Sequence, residues 1–75
     1  MQNFYEKIYD LEKNLTRAGF QYLGEQLRDA VLQGSTGTEI FMALKYNLKA
    51  IKKYNLNKNL MNEVKLLIKY IDKEL

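Results

Sequence analysis

Apolar residues recur at alternating intervals of four and three positions in the first part of the chain. They are Phe4, Ile8, Leu11, Leu15 and Ala18. This spacing places all of them on one side of an α-helix. Asn3 can act as the N-cap of such a helix, and Gly19 suits the left-handed position that follows a helix end. The pattern therefore predicts a first helix over residues 3–18.

Three further segments show helical periodicity. A second helix is predicted over residues 20–33, a third from the turn at residues 34–37 to residue 53, and a fourth after a polar break at residues 54–58. Asn57 or Asn59 can cap the fourth helix. The apolar face of the second helix consists of Phe20, Leu23, Leu27, Ala30 and Val31. That of the third consists of Ile40, Phe41, Leu44, Leu48 and Ile51. That of the fourth consists of Leu60, Val64, Leu67, Ile68, Ile71 and Leu75.

Brief connections between these segments predict one all-α domain over residues 1–75, folded as a compact antiparallel bundle of four short helices. A three-helix bundle, in which the first turn is absorbed into a longer helix, is the alternative. Gly24 lies inside the second predicted helix, where glycine costs roughly 1 kcal/mol relative to alanine. We expect another helix to approach closely at this position.

The chain has no cysteine, histidine or proline among its 75 residues. The lack of proline favours helices, and the lack of cysteine and histidine removes the usual metal ligands and nucleophile–base pairs. The carboxylate pairs Glu6/Asp10 and Glu25/Asp29 are spaced one helical turn apart, and we expect them to be solvated or in ordinary surface ion pairs. We therefore predict a protein that is not an enzyme and that needs no metal or other cofactor.

Membrane and export signals are not evident in the sequence. No apolar run approaches the roughly 18–20 residues that span a bilayer. The first residues lack the basic start and apolar segment of a signal peptide. These observations predict a cytoplasmic protein without a membrane role.

Small and hydroxyl-bearing residues separate the second and third predicted helices: Gly34, Ser35, Thr36, Gly37, Thr38 and Glu39. Thr36 and Glu39 have capping-box spacing, in which each side chain accepts the backbone N–H of the other. We expect Gly34 to take a positive φ and Gly37 to allow a close approach in the first turn. Phosphate binding is disfavoured, because Glu39 fills the helix start and the Lys-Ser/Thr pair of a nucleotide loop is missing. The hydroxyl groups of Ser35, Thr36 and Thr38 are candidates for contact with a partner.

Charge is distributed unevenly along the chain. Residues 1–39 carry four basic and six acidic side chains, for a net charge of −2, and residues 40–75 carry eight lysines and three acids, for +5. Lysines are expected on one side of the third helix and one side of the fourth: Lys45, Lys49, Lys52 and Lys53, then Lys58, Lys65, Lys69 and Lys73. Like charges one turn apart are mildly destabilising, so counterions, the acidic first half or an external polyanion should offset them. The lack of arginine there favours nonspecific contact with nucleic acid at most.

Six tyrosines supply candidate contact residues. Tyr22 shares the polar face of the second predicted helix with Glu25 and Asp29, and tyrosine is enriched at binding hot spots. Packing against a neighbouring helix is the alternative for Tyr22, and burial is favoured for Tyr5 or Tyr9. Tyr22, Glu25 and Asp29 are therefore candidates for binding a protein partner.

Residues 27–48 contain the pattern Leu-x-x-Ala-x-Leu-x-Gly-Ser-Thr-Gly-Thr-Glu-Ile-x-Met-Ala-Leu. This pattern resembles small all-helical bacterial proteins, some of which look like immunity proteins encoded beside contact-dependent growth-inhibition toxins. The resemblance implies a single-domain binder that blocks a toxin domain, often a nuclease, and it implies no particular binding residues.

We therefore expect a noncatalytic protein-binding module that neutralises a cognate toxin domain. One alternative is a nucleic-acid-associated protein that uses the lysine faces of the third and fourth helices. The other is a small helical oligomerisation module. The sequence does not indicate an oligomeric state.

Overall fold

The computed structural model describes residues 3–75, which form four α-helices and no strand. The helices are α1 (Phe4–Arg17), α2 (Gln21–Gln33), α3 (Gly37–Ile51) and α4 (Lys58–Glu74). α1 packs against α2 and α4, and α3 packs against the same two helices, so the four form a ring. The all-α four-helix prediction is confirmed.

Side-chain contacts give the direction of the helices. The ring of Phe4, at the start of α1, stacks on the ring of Tyr70, near the end of α4, with centroids 4.8 Å apart. Near the other end, the Asn14 amide donates hydrogen bonds of 3.1 and 3.3 Å to the Glu63 carboxylate. α1 and α4 are therefore antiparallel. Phe4 also contacts Phe41 at the start of α3, which places the first turns of α1 and α3 at the same end of the bundle.

The apolar stripes of all four helices meet in one core. Its buried members are Phe4, Ile8, Leu11, Leu15, Leu23, Leu27, Ala30, Leu44, Leu48, Ile51, Leu56, Leu60, Val64, Leu67 and Ile71. Five residues predicted to be on inner faces are only half-buried at its edges: Phe20, Val31, Ile40, Phe41 and Ile68. A helix in a ring of four has two neighbours, so residues at the margin of its stripe stay partly open to solvent.

Side chains cap three of the helices as the sequence suggests. Asn3 accepts the backbone N–H of Glu6, and Asn57, rather than Asn59, accepts the N–H of Leu60, each at 2.9 Å. Thr36 caps α3 through the N–H of Glu39 at 3.1 Å. Each bond satisfies one of the N–H groups that a helix start leaves without an intrahelical partner.

Gly19 makes the sharp turn between α1 and α2. It has a φ of 92°, as predicted, and its N–H donates to the carbonyl of Thr16 while the N–H of Phe20 donates to that of Leu15. This paired arrangement is the Schellman motif. Phe20 is the N-cap of α2 and has no side-chain capping bond, so the prediction that α2 begins at residue 20 was one position early.

Other helix ends differ from the prediction. Ala18 is an exposed cap after α1 rather than a member of its apolar stripe, and Leu75 lies beyond α4 with 54% of its surface exposed. α3 ends at Ile51, so Lys53 lies in the following turn rather than on the helix. Leu56, predicted as part of a polar break, is buried in the core and ties this turn to the bundle.

Candidate functional site

Large apolar side chains are exposed on the outer sides of α2 and α3. Tyr22 and Leu32 on α2 retain 67% and 68% of their surface, and Met42 and Tyr46 on α3 retain 60% and 77%. Single exposed apolar residues are common, but contiguous apolar patches with polar neighbours commonly mark interaction sites. This pattern makes the outer side of α2 and α3 the candidate site.

The register of α2 and α3 brings these residues onto one surface. The Asn47 amide of α3 donates a hydrogen bond of 3.4 Å to the backbone carbonyl of Gln26 in α2. Tyr22 lies one helical turn before Gln26, and Tyr46 directly precedes Asn47. Met42 lies one turn before Tyr46, on the same outer stripe.

Two helical stripes define what we call the α2–α3 face. Positions spaced by three and four residues share one side of a helix. On α2 and α3 the stripes are, respectively, Tyr22, Glu25, Asp29 and Leu32, then Glu39, Met42 and Tyr46. All seven side chains are exposed. The face therefore combines four large apolar side chains with three acidic ones.

The carboxylates of this face are available to a partner. Glu25 accepts a hydrogen bond of 3.1 Å from Gln21 of the same helix. Within residues 3–75, neither Glu25 nor Asp29 forms an ion pair, and both are exposed. The expectation that these two acids are solvated is confirmed, and their charges remain uncompensated by the bundle.

The turn before α3 forms a modified capping box. The Glu39 carboxylate accepts the backbone N–H of Ser35 at 3.2 Å, one residue earlier than the predicted N–H of Thr36. Ser35, Thr36 and Thr38 are all exposed. Tyr22 lies about 18 Å along the α2 axis from this turn, because twelve residues separate it from Gly34 and each rises about 1.5 Å. The predicted contact residues therefore form an elongated surface rather than one compact cluster.

Both predictions for the glycines of this turn were wrong. Gly34 has a φ of −74°, in the extended region, so positive φ is not the reason for glycine here. A Cβ at this position would instead overlap Cγ1 of Ile40, which folds back against the turn. At Gly37 a Cβ would meet no described atom within 4 Å, so no close approach occurs there.

A buried acid lies between α1 and α2, and the sequence did not reveal it. Glu12 has only 7% of its surface exposed and forms an ion pair with Arg28 of α2. A Cβ on Gly24 would lie 3.0 Å from the backbone oxygen of Glu12, which confirms the predicted close approach at this glycine. Thr16 Oγ1 donates a hydrogen bond of 3.0 Å to that same oxygen. Glu12 thus belongs to a structural contact between helices.

The lysines of the second half are partly neutralised within that half. Lys45 of α3 is half-buried and forms an ion pair with Asp72 of α4. Its hydrogen bond lowers the pKa of Asp72 below the ordinary value of 3.8, and the charges of Lys45 and Lys49 lower that pKa further against an opposing desolvation. Lys49, Lys52 and Lys53 are exposed. Asp72 therefore offsets part of the repulsion that the sequence left unexplained.

The remaining tyrosines are placed by their surroundings. Tyr5 is half-buried beside Phe4 and Phe41, whereas Tyr9 keeps 38% of its surface exposed. Tyr22 is exposed, so its alternative of packing between helices is wrong. Sequence reasoning missed Tyr46, although its position opposite the Leu44–Leu48 stripe on a helical wheel was a usable signal.

The described part of the chain offers neither a metal site nor a membrane-spanning helix. Residues 3–75 contain no group of three or more acidic, cysteine or histidine side chains arranged to hold a metal ion. Among the same residues, no helix combines the length and the apolar character needed to cross a bilayer. No protein-family model, curated protein or solved structure matches this chain.

Proposed function

We propose that this protein is a noncatalytic module that binds a protein partner through the α2–α3 face. The observation that carries the proposal is that four large, exposed apolar side chains lie together on one surface of the bundle: Tyr22, Leu32, Met42 and Tyr46. Aromatic residues and methionine are enriched at protein interfaces, and tyrosine is enriched among the residues that dominate binding energy. Tyr46, with the largest exposed fraction of the four, is the expected anchor.

Charge suggests the chemistry of the partner. Glu25, Asp29 and Glu39 interrupt the apolar side chains of the face, so a complementary surface is basic and has apolar pockets. Domains that act on nucleic acids carry such basic surfaces, because they bind phosphates. A toxin domain with nuclease activity meets this description, and the resemblance of the GSTGTE segment to immunity proteins points the same way. The proposed role is neutralisation of a cognate toxin in the cytoplasm.

The position of the lysines supports this proposal. On the sequence alone, the basic second half conflicts with binding to a basic partner. In the structure, Lys45 lies toward α4, where it pairs with Asp72, whereas the exposed Lys49 follows Tyr46 by three residues and adjoins the α2–α3 face. A partner seated on this face therefore meets three acids, Glu25, Asp29 and Glu39, and one cation at its edge, Lys49.

The direct test is co-expression with the product of the gene immediately upstream. We expect that gene to encode a toxin whose last domain co-purifies with this protein and whose lethality this protein suppresses. Absence of both co-purification and rescue would remove the immunity role. A dimer of the isolated protein that is abolished by Tyr46→Ala would assign the face to self-association instead.

A matched pair of leucine variants tests the location of the interface. Leu32 on the α2–α3 face and Leu66 on α4 have nearly equal exposure, 68% and 67%. Leu32→Ala should weaken toxin-domain binding, whereas Leu66→Ala should not. Tyr46→Ala should cost about 2 kcal/mol or more, a loss of roughly 30-fold, if it is a hot spot. Equal effects of both leucine variants in calorimetric titration would contradict this placement.

A further inference from the structure

Lysines from two helices meet on the side of the bundle formed by α3 and α4. On α3 they are Lys45, Lys49 and Lys52, at intervals of four and three, and Lys52 keeps helical backbone angles as the C-cap. On α4 the matching positions are Lys65, Lys69 and Asp72, also at intervals of four and three. Each set of three therefore forms one stripe along its helix.

The ion pair between Lys45 and Asp72 joins these stripes at one end. α3 and α4 are antiparallel, so the stripe that leaves Lys45 toward Lys52 runs beside the stripe that leaves Asp72 toward Lys65. Lys49 is close enough to Asp72 to lower the pKa of its carboxyl, which places Lys49 on the same side. The two stripes thus form a continuous basic surface, which we call the α3–α4 lysine face.

This surface carries more positive charge than the bundle neutralises. Asp72 is the acid within the two stripes and pairs with Lys45. Lys49, Lys52, Lys65 and Lys69 are exposed, and none of them forms an ion pair within residues 3–75. Glu63 of α4 lies on another side of that helix, where it accepts the hydrogen bonds of Asn14 from α1. Four cations are therefore available to an external polyanion.

We propose that the α3–α4 lysine face binds the phosphate backbone of duplex nucleic acid without sequence preference. Lysines four residues apart on a helix are separated by about 6 Å along its axis. This is close to the spacing of every second phosphate in one strand of duplex DNA, roughly twice 3.4 Å. One lysine stripe can therefore contact phosphates of one strand, and the other stripe can contact a second row of phosphates. Lysine is a point charge that suits phosphates, whereas base readout relies mainly on arginine and amide side chains, and no arginine is present in these stripes. This site adjoins the α2–α3 face at Lys49 and does not rest on the proposed toxin partner.

The test is binding of a short fluorescent duplex DNA, measured by anisotropy at several salt concentrations. Four phosphate contacts give a slope near −3.6 in log K against log salt, so a change from about 50 to about 200 mM weakens binding roughly 10²-fold. Lys49→Glu with Lys69→Glu should reduce the slope by about 2 and weaken binding more than tenfold at moderate salt. Duplexes of different sequence should bind equally.

A control with the same change in net charge separates position from total charge. Lys7→Glu with Lys13→Glu alters two exposed lysines of α1 and should leave duplex affinity within about threefold of the parent protein. Equal losses in the two double variants, or no duplex binding at low salt, would overturn the proposal. Tighter binding of polyglutamate than of the duplex at equal charge concentration would also overturn it, in favour of an acidic polypeptide. Circular dichroism should show unchanged helicity in both variants.

Discussion

Replacing Gly24 with alanine tests the close approach of α1 and α2, and the same replacement at Gly37 is its matched control. A Cβ at Gly24 would lie 3.0 Å from the backbone oxygen of Glu12 and 3.1 Å from Cγ of the same residue. A Cβ at Gly37 would meet no described atom within 4 Å. Both glycines are helical and neither has a positive φ, so alanine fits the backbone conformation at each position.

The two variants should change stability in opposite directions. Alanine reduces the freedom of the unfolded chain by about 0.4–1 kcal/mol at either position. At Gly24 this gain is outweighed, because the Glu12 carbonyl belongs to the α1 backbone and the Glu12 side chain is held by Arg28. Overpacking of this kind costs about 1–3 kcal/mol, so we expect a net loss near 1 kcal/mol. Gly37→Ala should gain about 0.5 kcal/mol.

Thermal and urea unfolding followed by circular dichroism provide the measurement. In a domain of this size 1 kcal/mol corresponds to a change in Tm of about 4–8 °C, so the two variants should differ by about 6–12 °C. The urea m-value should stay constant, since neither change alters the surface exposed on unfolding. If Gly24→Ala raised Tm as much as Gly37→Ala, the inferred contact between α1 and α2 would be wrong.

Three further predictions concern polar contacts. Arg28→Ala should destabilise the bundle by about 1–2 kcal/mol, because it leaves the buried Glu12 carboxylate without its counterion. The loss of stability should be smaller when Glu12 is already replaced by Gln. If the effects of the two substitutions on the free energy of unfolding were additive, this coupling would be contradicted. Asp72→Asn should lower stability at neutral pH and have little effect well below pH 3.8. Lys45 lowers the pKa of Asp72, so the stability that the Asp72 carboxylate contributes is lost as the pH falls through that lowered pKa. Urea unfolding of both proteins at the two pH values tests this, and an equal loss of stability at both would count against it. Asn57→Ala should cost about 1 kcal/mol and speed amide exchange in the first turn of α4, since it removes the capping acceptor, and unchanged exchange would exclude that role.

Apolar periodicity was sufficient to predict the four helices and most of the core. Burial of Ile8, Leu11 and Leu15 follows from spacing alone, because residues three and four apart share one side of a helix. The helix N-caps were also predictable, because the side chains of Asn3 and Thr36 accept the backbone N–H of a residue only three positions later in the sequence. These features depend on residues close in sequence.

Features that depend on contact between helices were not predictable in this way. Glu12 looks like a solvated acid until α2 places Gly24 and Arg28 against it. From the sequence, Gly34 is expected to be glycine because of a positive φ. The structure shows instead that the Ile40 side chain leaves no room for a Cβ at this position. For the candidate surface, Tyr22 and its acidic neighbours were found from the polar face of α2. The extension of this surface onto α3 through Tyr46 could not be predicted, because it depends on how α2 and α3 are aligned against each other.

The ring of neighbouring helices has a consequence for the speed of folding. Consecutive helices form the α1–α2, α2–α3 and α3–α4 interfaces, and the contact between α1 and α4 closes the ring. Contacts between elements close in sequence require little loop closure, and small helical bundles of this kind fold in microseconds to milliseconds. The tight Gly19 turn holds α1 and α2 as an antiparallel hairpin, which makes that pair the expected nucleus. A chain with these properties regains its native surface soon after any transient unfolding.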